Sequence, residues 1–247
     1  MTDTKIKLCG VELDNPVIPA SGTFGYGYEF AQFYDINILG SISVKGTTKD
    51  ARFGNPTPRI AECEGGMLNS VGLQNPGVDK VLSHELPELR KCFTKPIMMN
   101  VSGFSVDDYV YTVEKLDGEG DIGWFEVNIS CPNTMAGEPF NQSPEALDKL
   151  FTELDKIDRP QPTLVKMPLN KTWPEFKDLL DVLAEHNVQG LSIANLQKDR
   201  TGMSIPRDWE GGLSGSPCYA ASNERIKQVY REYGDRFAIA GIGGVFT

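Results

Sequence analysis

The sequence predicts an α/β fold, a (β/α)8 TIM barrel that lacks its eighth βα unit. Short apolar runs of strand length alternate with helical stretches along the chain, which is typical of a parallel sheet. Seven such units fit in the 247 residues, and polar or glycine residues follow the strands at their carboxyl ends. The glycines are spread over several strand ends rather than gathered in one first turn, which favours a barrel over a doubly wound sheet.

Composition points to one large domain over residues 1–247. With 40% hydrophobic and 23% charged residues, the chain is long enough to bury a sizeable core. Its net charge of −10 argues against nucleic-acid or anionic-membrane partners, and no segment has the length of a membrane span. The five cysteines lack metal-binding spacing and form an odd set, which fits a reducing cytoplasm. We therefore expect a cytoplasmic domain without a metal site.

Each predicted strand is a short apolar run that ends in glycine, proline or a polar side chain. The longest carries Trp124, Phe125 and Val127, and Pro132 ends it because proline cannot donate to a central ladder. After a hairpin at 5–13, the strands are expected at 16–19, 38–44, 96–101, 122–129, 163–167, 190–194 and 237–240.

Apolar residues at helical spacing predict the helices between the strands. One helix begins at Ser143, a serine N-cap that is followed by proline and an acid. The others are expected at 28–34, 78–91, 106–116, 173–186 and 222–233. Two stretches are interpreted as loops: an inserted segment at 52–77, rich in glycine, proline and asparagine, and a lid at 132–142.

The stretch from Glu126 to Asn133 carries a dense set of reactive and polar groups. Asn128, Ser130 and Asn133 surround Cys131 at a strand end. A carboxamide both donates and accepts, so two of them can read a flat ring with C=O and N–H groups. The thiol is a candidate base or nucleophile, while the plainer interpretation is a small buried hydrophobic residue.

In a barrel, the residues that follow the strands meet on one face. Here they include two lysines for negative charge, carboxamides for a heterocycle, and late glycines whose backbone N–H groups suit a phosphate. The set is Ala20, Ser21, Lys45, Asn69, Asn100, Asn128, Cys131, Asn133, Lys166, Asn195, Gly215, Gly243 and Gly244. It predicts a flavin mononucleotide stacked against a planar, amide-like substrate. His84 and His186 lie in helical stretches and are expected to be structural, which leaves Cys131 as the proton acceptor.

At these residues the chain resembles class 1 dihydroorotate dehydrogenase over essentially its whole length. The stretches that carry the resemblance are 15–25, 54–59, 69–77, 128–133, 211–215 and 241–244. The resemblance implies oxidation of dihydroorotate to orotate in pyrimidine (UMP) biosynthesis. It implies that Cys131 removes a proton from C5 and that FMN accepts the hydride from C6. Class 2 enzymes carry serine at the base position, so the cysteine favours class 1.

The resemblance also implies roles for individual residues. Those expected to hold orotate are Lys45, Asn69, Gly72, Leu73, Asn128, Asn133 and Asn195. Those expected near FMN are Ala20, Ser21, Lys45, Asn100, Asn128, Lys166, Gly215, Gly243 and Gly244.

The stretch 69–77 is most similar to class 1B, whose catalytic subunit works with a separate FAD and iron–sulfur subunit and passes electrons to NAD. A homodimer is expected as well. The segments 195–215 and 222–233 are closer to class 2, and Leu196 stands where the family usually has a small hydroxyl residue. Relatives continue past Thr247 with an eighth strand, so the resemblance implies a chain truncated at its carboxyl end.

Three alternatives remain open from the sequence. Dihydropyrimidine dehydrogenases share the barrel, FMN and the cysteine, but they typically have histidine where this chain has Asn133. Dihydrouridine synthases need a basic face for tRNA, which a net charge of −10 disfavours. The third alternative is a non-catalytic flavin-binding subunit.

Overall fold

The structure, a computed structural model, describes residues 3–130, 140–201, 203 and 209–245. The strands of these residues, in chain order, are β1 (Ile6–Leu8), β2 (Val11–Leu13), β3 (Ile42–Ser43), β4 (Ile60–Cys63), β5 (Gly66–Asn69), β6 (Ile97–Val101), β7 (Ile122–Asn128), β8 (Thr163–Lys166), β9 (Gly190–Ile193), β10 (Gly212–Gly215) and β11 (Ala238–Gly241). The α-helices are α1 (Val78–Lys80), α2 (Leu86–Arg90), α3 (Val106–Leu116), α4 (Pro144–Leu154), α5 (Trp173–Ala184) and α6 (Tyr219–Tyr233). A π-helical turn, Val81–Glu85, joins α1 to α2.

Six strands form a parallel sheet in the order β3-β6-β7-β8-β9-β11, which is also their order along the chain. Each neighbouring pair is parallel. A doubly wound sheet would reverse its strand order at an inner strand, where the chain crosses to the other half. The observed order therefore confirms the predicted barrel architecture.

The predicted first strand is an extended segment beside β3 rather than a regular strand. The carbonyl oxygen of Val17 accepts from Gly40 N at 2.9 Å, and that of Pro19 accepts from Ser43 N at 3.3 Å. Pro16 and Pro19 have no backbone N–H, which limits the ladder. The segment still takes the first strand position and delivers the next residues to the carboxyl end of the barrel.

Two other short elements differ from the prediction. The helix expected over 28–34 is only a 3-10 turn, Phe30–Gln32, and it has no side-chain cap. The strand expected over 38–44 begins only at Ile42, since a second 3-10 turn, Ile36–Ile38, precedes it.

The hairpin β1–β2 confirms the prediction for 5–13 and packs against the interior of the barrel. Leu8 and Leu13 pack with Met98, Trp124 and Leu164, which come from three neighbouring strands of the parallel sheet. The indole N–H of Trp124 donates to the carbonyl oxygen of Leu8 at 3.0 Å, so the polar atom of this buried ring is paired.

The helices begin where the sequence provides caps. Ser105 and Ser143 each accept a backbone N–H in the first turn of α3 and α4. Thr172 and Glu175 form a capping box at the start of α5. The apolar faces of these helices join the larger core cluster with the parallel strands. Within the described ranges, no helix combines the length and apolar character needed to cross a membrane.

The inserted segment 52–77 is not the irregular loop that the sequence predicts. β4 and β5 form a hairpin within it, and β10 adds to β5 as a third antiparallel strand. Glycine-rich strands have little strand propensity, and the third strand is distant in sequence, so local patterns miss this sheet. The predicted lid at 132–142 lies mostly outside the described residues. From its described end, the ring of Phe140 packs edge-on against Tyr109.

Candidate active site

A cavity of about 450 Å³ lies between the carboxyl ends of the parallel strands and the three-stranded sheet. Its volume is in the range of cofactor and substrate pockets. The predicted site residues that line it are Ala20, Ser21, Lys45, Asn69, Gly72, Leu73, Asn100, Asn128, Lys166, Asn195 and Gly243. Segments that are far apart in sequence therefore meet at one site, as the barrel prediction requires.

Gly215 and Gly244 adjoin the Gly243 end of the cavity. Gly244 has a φ of +71°, and a Cβ there would lie 3.0 Å from the carbonyl oxygen of Gly215 and 2.8 Å from the Cβ of Tyr219, the first residue of α6. A side chain on Gly243 would meet the hydroxyl of Ser222 at 2.5 Å. These glycines therefore bring bare backbone to the beginning of α6, where N–H groups favour an anion.

Cys131 and Asn133 lie outside the described residues, and Ser130 is the last described residue before them. The hydroxyl of Ser130 accepts from Asn195 Nδ2 at 2.6 Å and donates to Asn128 Oδ1 at 3.0 Å. Ser130 thus connects two of the predicted carboxamides at the cavity.

Hydrogen bonds fix which polar atom some of the carboxamides present. Asn128 Oδ1 accepts from both the backbone N–H and the hydroxyl of Ser130, at 3.2 and 3.0 Å. Its amide nitrogen is left for the cavity as a donor. Asn195 uses Nδ2 toward Ser130, and its Oδ1 accepts from Leu196 N at 2.8 Å.

Two lysines give the cavity positive charge. Lys166 is only 5% exposed, and its Nζ donates to the hydroxyl of Ser21 at 3.0 Å. Lys45 is half-buried, and a Cβ on Gly22 would lie 3.3 Å from its Nζ. Both ammonium groups therefore lie near the turn after the first strand position, where they suit a ligand that carries negative charge.

The thiol of Cys218 lines the cavity. Burial raises its pKa, and its Sγ donates to the carbonyl oxygen of Leu213 at 3.1 Å. A neutral, hydrogen-bonded thiol is a poor base, so Cys218 does not compete with Cys131 for that role.

The histidines are not part of the cavity lining. His186 is held between Asp155 and Asp148, at 2.8 and 3.1 Å, near the end of α5. His84 lies in the π-helical turn. The prediction that neither histidine is the base is consistent with these positions.

Part of the cavity wall is missed by the sequence prediction. Ile60, Met67, Leu213 and Ser214 belong to the three-stranded sheet and line the cavity. A signal for the hairpin is present, because a two-residue turn that ends in Gly65 separates its two strands. Its third strand has no comparable local signal.

A smaller cavity of about 320 Å³ adjoins the first and shares Asn195 and Leu196 with it. Ser130, Asn170 and Lys198 also line this space. It extends the same site outward rather than forming a separate one. Leu196 therefore lies at the junction of the two cavities.

The family model described as dihydroorotate dehydrogenase matches residues 3–247. The chain is 39% identical to the dihydroorotate dehydrogenase B (NAD(+)), catalytic subunit, of Bacillus cytotoxicus, over 99% of this chain and 79% of that protein. It is 40% identical to the protein of the same name from Geobacillus kaustophilus, over 100% of this chain and 79% of that protein. The solved ligand-free DHODH from Eimeria tenella has a TM-score of 0.80 at 22% identity, covering 99% of this chain and 76% of that one, and supports the fold.

These relatives confirm the class 1B resemblance. Their matches run over nearly the whole chain, including the segments after Asn195 that look closer to class 2. The roles of the individual site residues stay predictions. The chain belongs to the dihydroorotate dehydrogenase family.

Proposed function

We propose that this protein oxidises dihydroorotate to orotate with FMN as its cofactor, in the cytoplasmic pathway of de novo pyrimidine (UMP) synthesis. The observation that carries the proposal is one cavity that combines two lysines with four carboxamides. Three of the carboxamides lie at the carboxyl ends of barrel strands, and the fourth, Asn69, ends β5. Such a lining complements a planar ring with C=O and N–H groups and a negative charge.

The family is flavin-dependent in general, and the residues of the cavity fit a flavin with a phosphate. Among the described residues, none donates to the buried Asn100 Oδ1, and none pairs with the buried hydroxyl of Ser222. The first atom belongs to a residue that lines the cavity, and the second lies beside Gly243 at the start of α6. Unpaired buried polar atoms are rare in folded proteins, so both suit a bound ligand.

The residues that would hold FMN are Ala20, Ser21, Lys45, Asn100, Asn128, Lys166, Gly215, Gly243 and Gly244. Bound FMN would supply a two-electron acceptor. Lys166, kept in place by Ser21, would hold negative charge beside the ring. The glycines and the first turn of α6 would hold the phosphate through backbone N–H groups.

The residues that would hold the substrate are Lys45, Asn69, Gly72, Leu73, Asn128, Asn133 and Asn195. The Lys45 ammonium would pair with the substrate carboxylate. Asn128 would donate to a ring carbonyl, because Ser130 already occupies its own carbonyl oxygen. Fixed donors orient the ring without the cost of ordering them at the moment of reaction.

Cys131 would take the proton from C5 of dihydroorotate. It lies outside the described residues, and what supports its role is the position of Ser130, which is bonded to both Asn128 and Asn195 at the cavity. Transfer of the C5 proton to Cys131 needs the thiolate form of the side chain, since a neutral thiol is too weak a base to accept it.

The test is to mix the purified, flavin-loaded protein with dihydroorotate without oxygen. We expect the yellow absorbance to bleach with dihydroorotate and to persist with dihydrouracil. A flavin that neither compound bleaches would indicate a non-catalytic flavin-binding subunit. Bleaching by dihydrouracil alone would indicate the dihydropyrimidine dehydrogenase alternative.

The relatives are named as catalytic subunits, which implies a partner subunit. We propose that this chain forms a homodimer and works with a separate subunit that carries FAD and an iron–sulfur cluster and reduces NAD. Reoxidation of the bleached protein by fumarate, a quinone, and NAD with that subunit can be compared side by side. If fumarate or the quinone reoxidises the protein and NAD with that subunit does not, the NAD assignment is wrong.

A further inference from the structure

Glu126 is a carboxylate sealed inside the barrel. It lies on β7, two residues before Asn128, and is 1% exposed. Its neighbour across the ladder on β6 is Asn100, which is 0% exposed. Burial of a carboxylate is costly unless hydrogen bonds satisfy it, so its partners matter.

Two side chains satisfy one oxygen of Glu126. The hydroxyl of Ser43 donates to Oε2 at 3.1 Å, and the amide nitrogen of Asn100 donates to the same atom. A carboxylate oxygen accepts hydrogen bonds but does not donate them. Glu126 therefore determines that Asn100 turns its NH₂ group toward the glutamate and its carbonyl oxygen away.

That carbonyl oxygen is buried beside Gly46, at the wall of the cavity. Asn100 lines the cavity, and a Cβ on Gly46 would lie only 2.7 Å from Asn100 Oδ1. Because residue 46 is glycine, no side chain at that position fills the space beside the oxygen. Within the described part of the chain, no donor pairs with it.

We propose that Glu126 is a positioning residue that fixes Asn100 as a hydrogen-bond acceptor, so that the cavity selects a planar ring presenting an N–H. This inference deepens the proposed function and rests on it. Oxidised FMN has one ring N–H, at N3, and dihydroorotate has two. The shared chemistry is a ring amide N–H, and the experiment distinguishes the two sources.

The first measurement compares FMN with 3-methyl-FMN, which has no N–H at that position. Both are titrated into the flavin-free 247-residue chain, and binding is followed by flavin fluorescence. We expect the parent chain to prefer FMN by about tenfold or more, since a buried acceptor left unpaired is costly. In Glu126→Gln the new side chain can donate, so Asn100 can reverse its amide, and the ratio should fall toward one.

Glu85→Gln is the matched control. Glu85 is also buried, at 8% exposed, and it accepts from the hydroxyl of Tyr28 at 2.8 Å in the helical segment after the inserted sheet. The same chemical change there should keep the parent ratio. A loss of preference in both variants would point to general destabilisation and overturn the positioning role.

A second variant keeps the proposal testable if Glu126→Gln folds poorly. The double variant Glu126→Gln with Asn100→Asp exchanges the two groups and conserves the total charge. The introduced amide would donate to the introduced carboxylate, whose second oxygen would again accept from the ligand. We expect the preference for FMN to return, which a purely structural role of Glu126 does not predict, and its absence would overturn the proposal.

The second measurement is the affinity of orotate for the flavin-loaded chain. If Glu126→Gln weakens orotate about tenfold and leaves the flavin ratio unchanged, the N–H is that of the substrate ring, and the selection by Glu126 stands. If both quantities equal those of the parent, the inference is wrong. A chain that shows the flavin preference but is not bleached by dihydroorotate would instead refute the proposed activity alone.

Discussion

Lys166 is a buried charged residue at the cavity, so its substitution is expected to weaken FMN binding. Its ammonium is almost fully buried and has the hydroxyl of Ser21 as a partner. We expect Lys166→Ala to weaken FMN binding by about tenfold to a hundredfold, the typical loss for a hydrogen bond to a charged group. Fluorescence titration measures this, and Lys177→Ala, which changes a partly exposed lysine of α5, should keep the parent affinity. Equal affinities for FMN in the two variants would contradict a role for Lys166 in FMN binding.

Cys131 gives a second prediction at the residue scale. We expect Cys131→Ser to retain FMN but to slow flavin reduction by orders of magnitude near neutral pH, because a serine hydroxyl is a far weaker base than a thiolate. Anaerobic stopped-flow absorbance with dihydroorotate measures the rate. The parent rate in this variant would exclude Cys131 as the base.

The identity of most site residues could be predicted from sequence, but their orientation could not. Asn100 and Asn128 follow the rule that polar groups at strand ends converge in a barrel. Whether each presents an oxygen or an N–H depends on Glu126 and Ser130, which contact them across the ladder or around a turn. No sequence pattern records such contacts, because they depend on side-chain direction in the folded sheet.

At the scale of elements, α4 provides a test of local stability. The Ser143 hydroxyl accepts from Ala146 N at 3.1 Å at the start of the helix. We expect Ser143→Ala to lower the free energy of unfolding by about 1 kcal/mol, the usual cost of a lost cap. Urea denaturation measures it. Ser83→Ala, an exposed serine within a helical segment, should change stability by less than about 0.5 kcal/mol, and equal losses would argue against a capping role.

The elements that the sequence predicts well are those with strong local signals. Helix α3 and strand β7 lie close to the predicted positions. Apolar residues at helical spacing mark α3, which Ser105 caps, and an apolar run of strand length marks β7. The sheet of β4, β5 and β10 is missed because its strands contain glycines and its last strand pairs with a distant one. Pairing of this kind depends on the assembled barrel rather than on the segment itself.

At the scale of the whole molecule, Cys9 links stability to alkaline pH. Burial raises the pKa of this thiol from 9.0 to about 11. As pH rises through that window, the unfolded chain loses the proton before the folded one, so the stability that Cys9 contributes below pH 9 is lost toward pH 11.

We therefore expect the parent chain to lose more unfolding free energy than Cys9→Ala when the pH is raised across this window. Urea unfolding at both ends of the window measures the two losses. Tyrosine ionisation affects both proteins alike, so the difference between them isolates the thiol. Parallel losses would show that Cys9 makes no such contribution.

The pairing of β10 with β5 has a consequence for how the chain folds during translation. The hydroxyl of Ser214 in β10 donates a hydrogen bond to the carbonyl oxygen of Met67 in β5, although 147 positions separate the two residues. In the parallel sheet, by contrast, each new strand pairs with the sheet strand synthesised just before it. A nascent chain can therefore assemble most of the parallel sheet during translation. The side of the cavity that β10 lines stays open until β10 has been synthesised. Capture of the cofactor is thus expected to follow the emergence of β10.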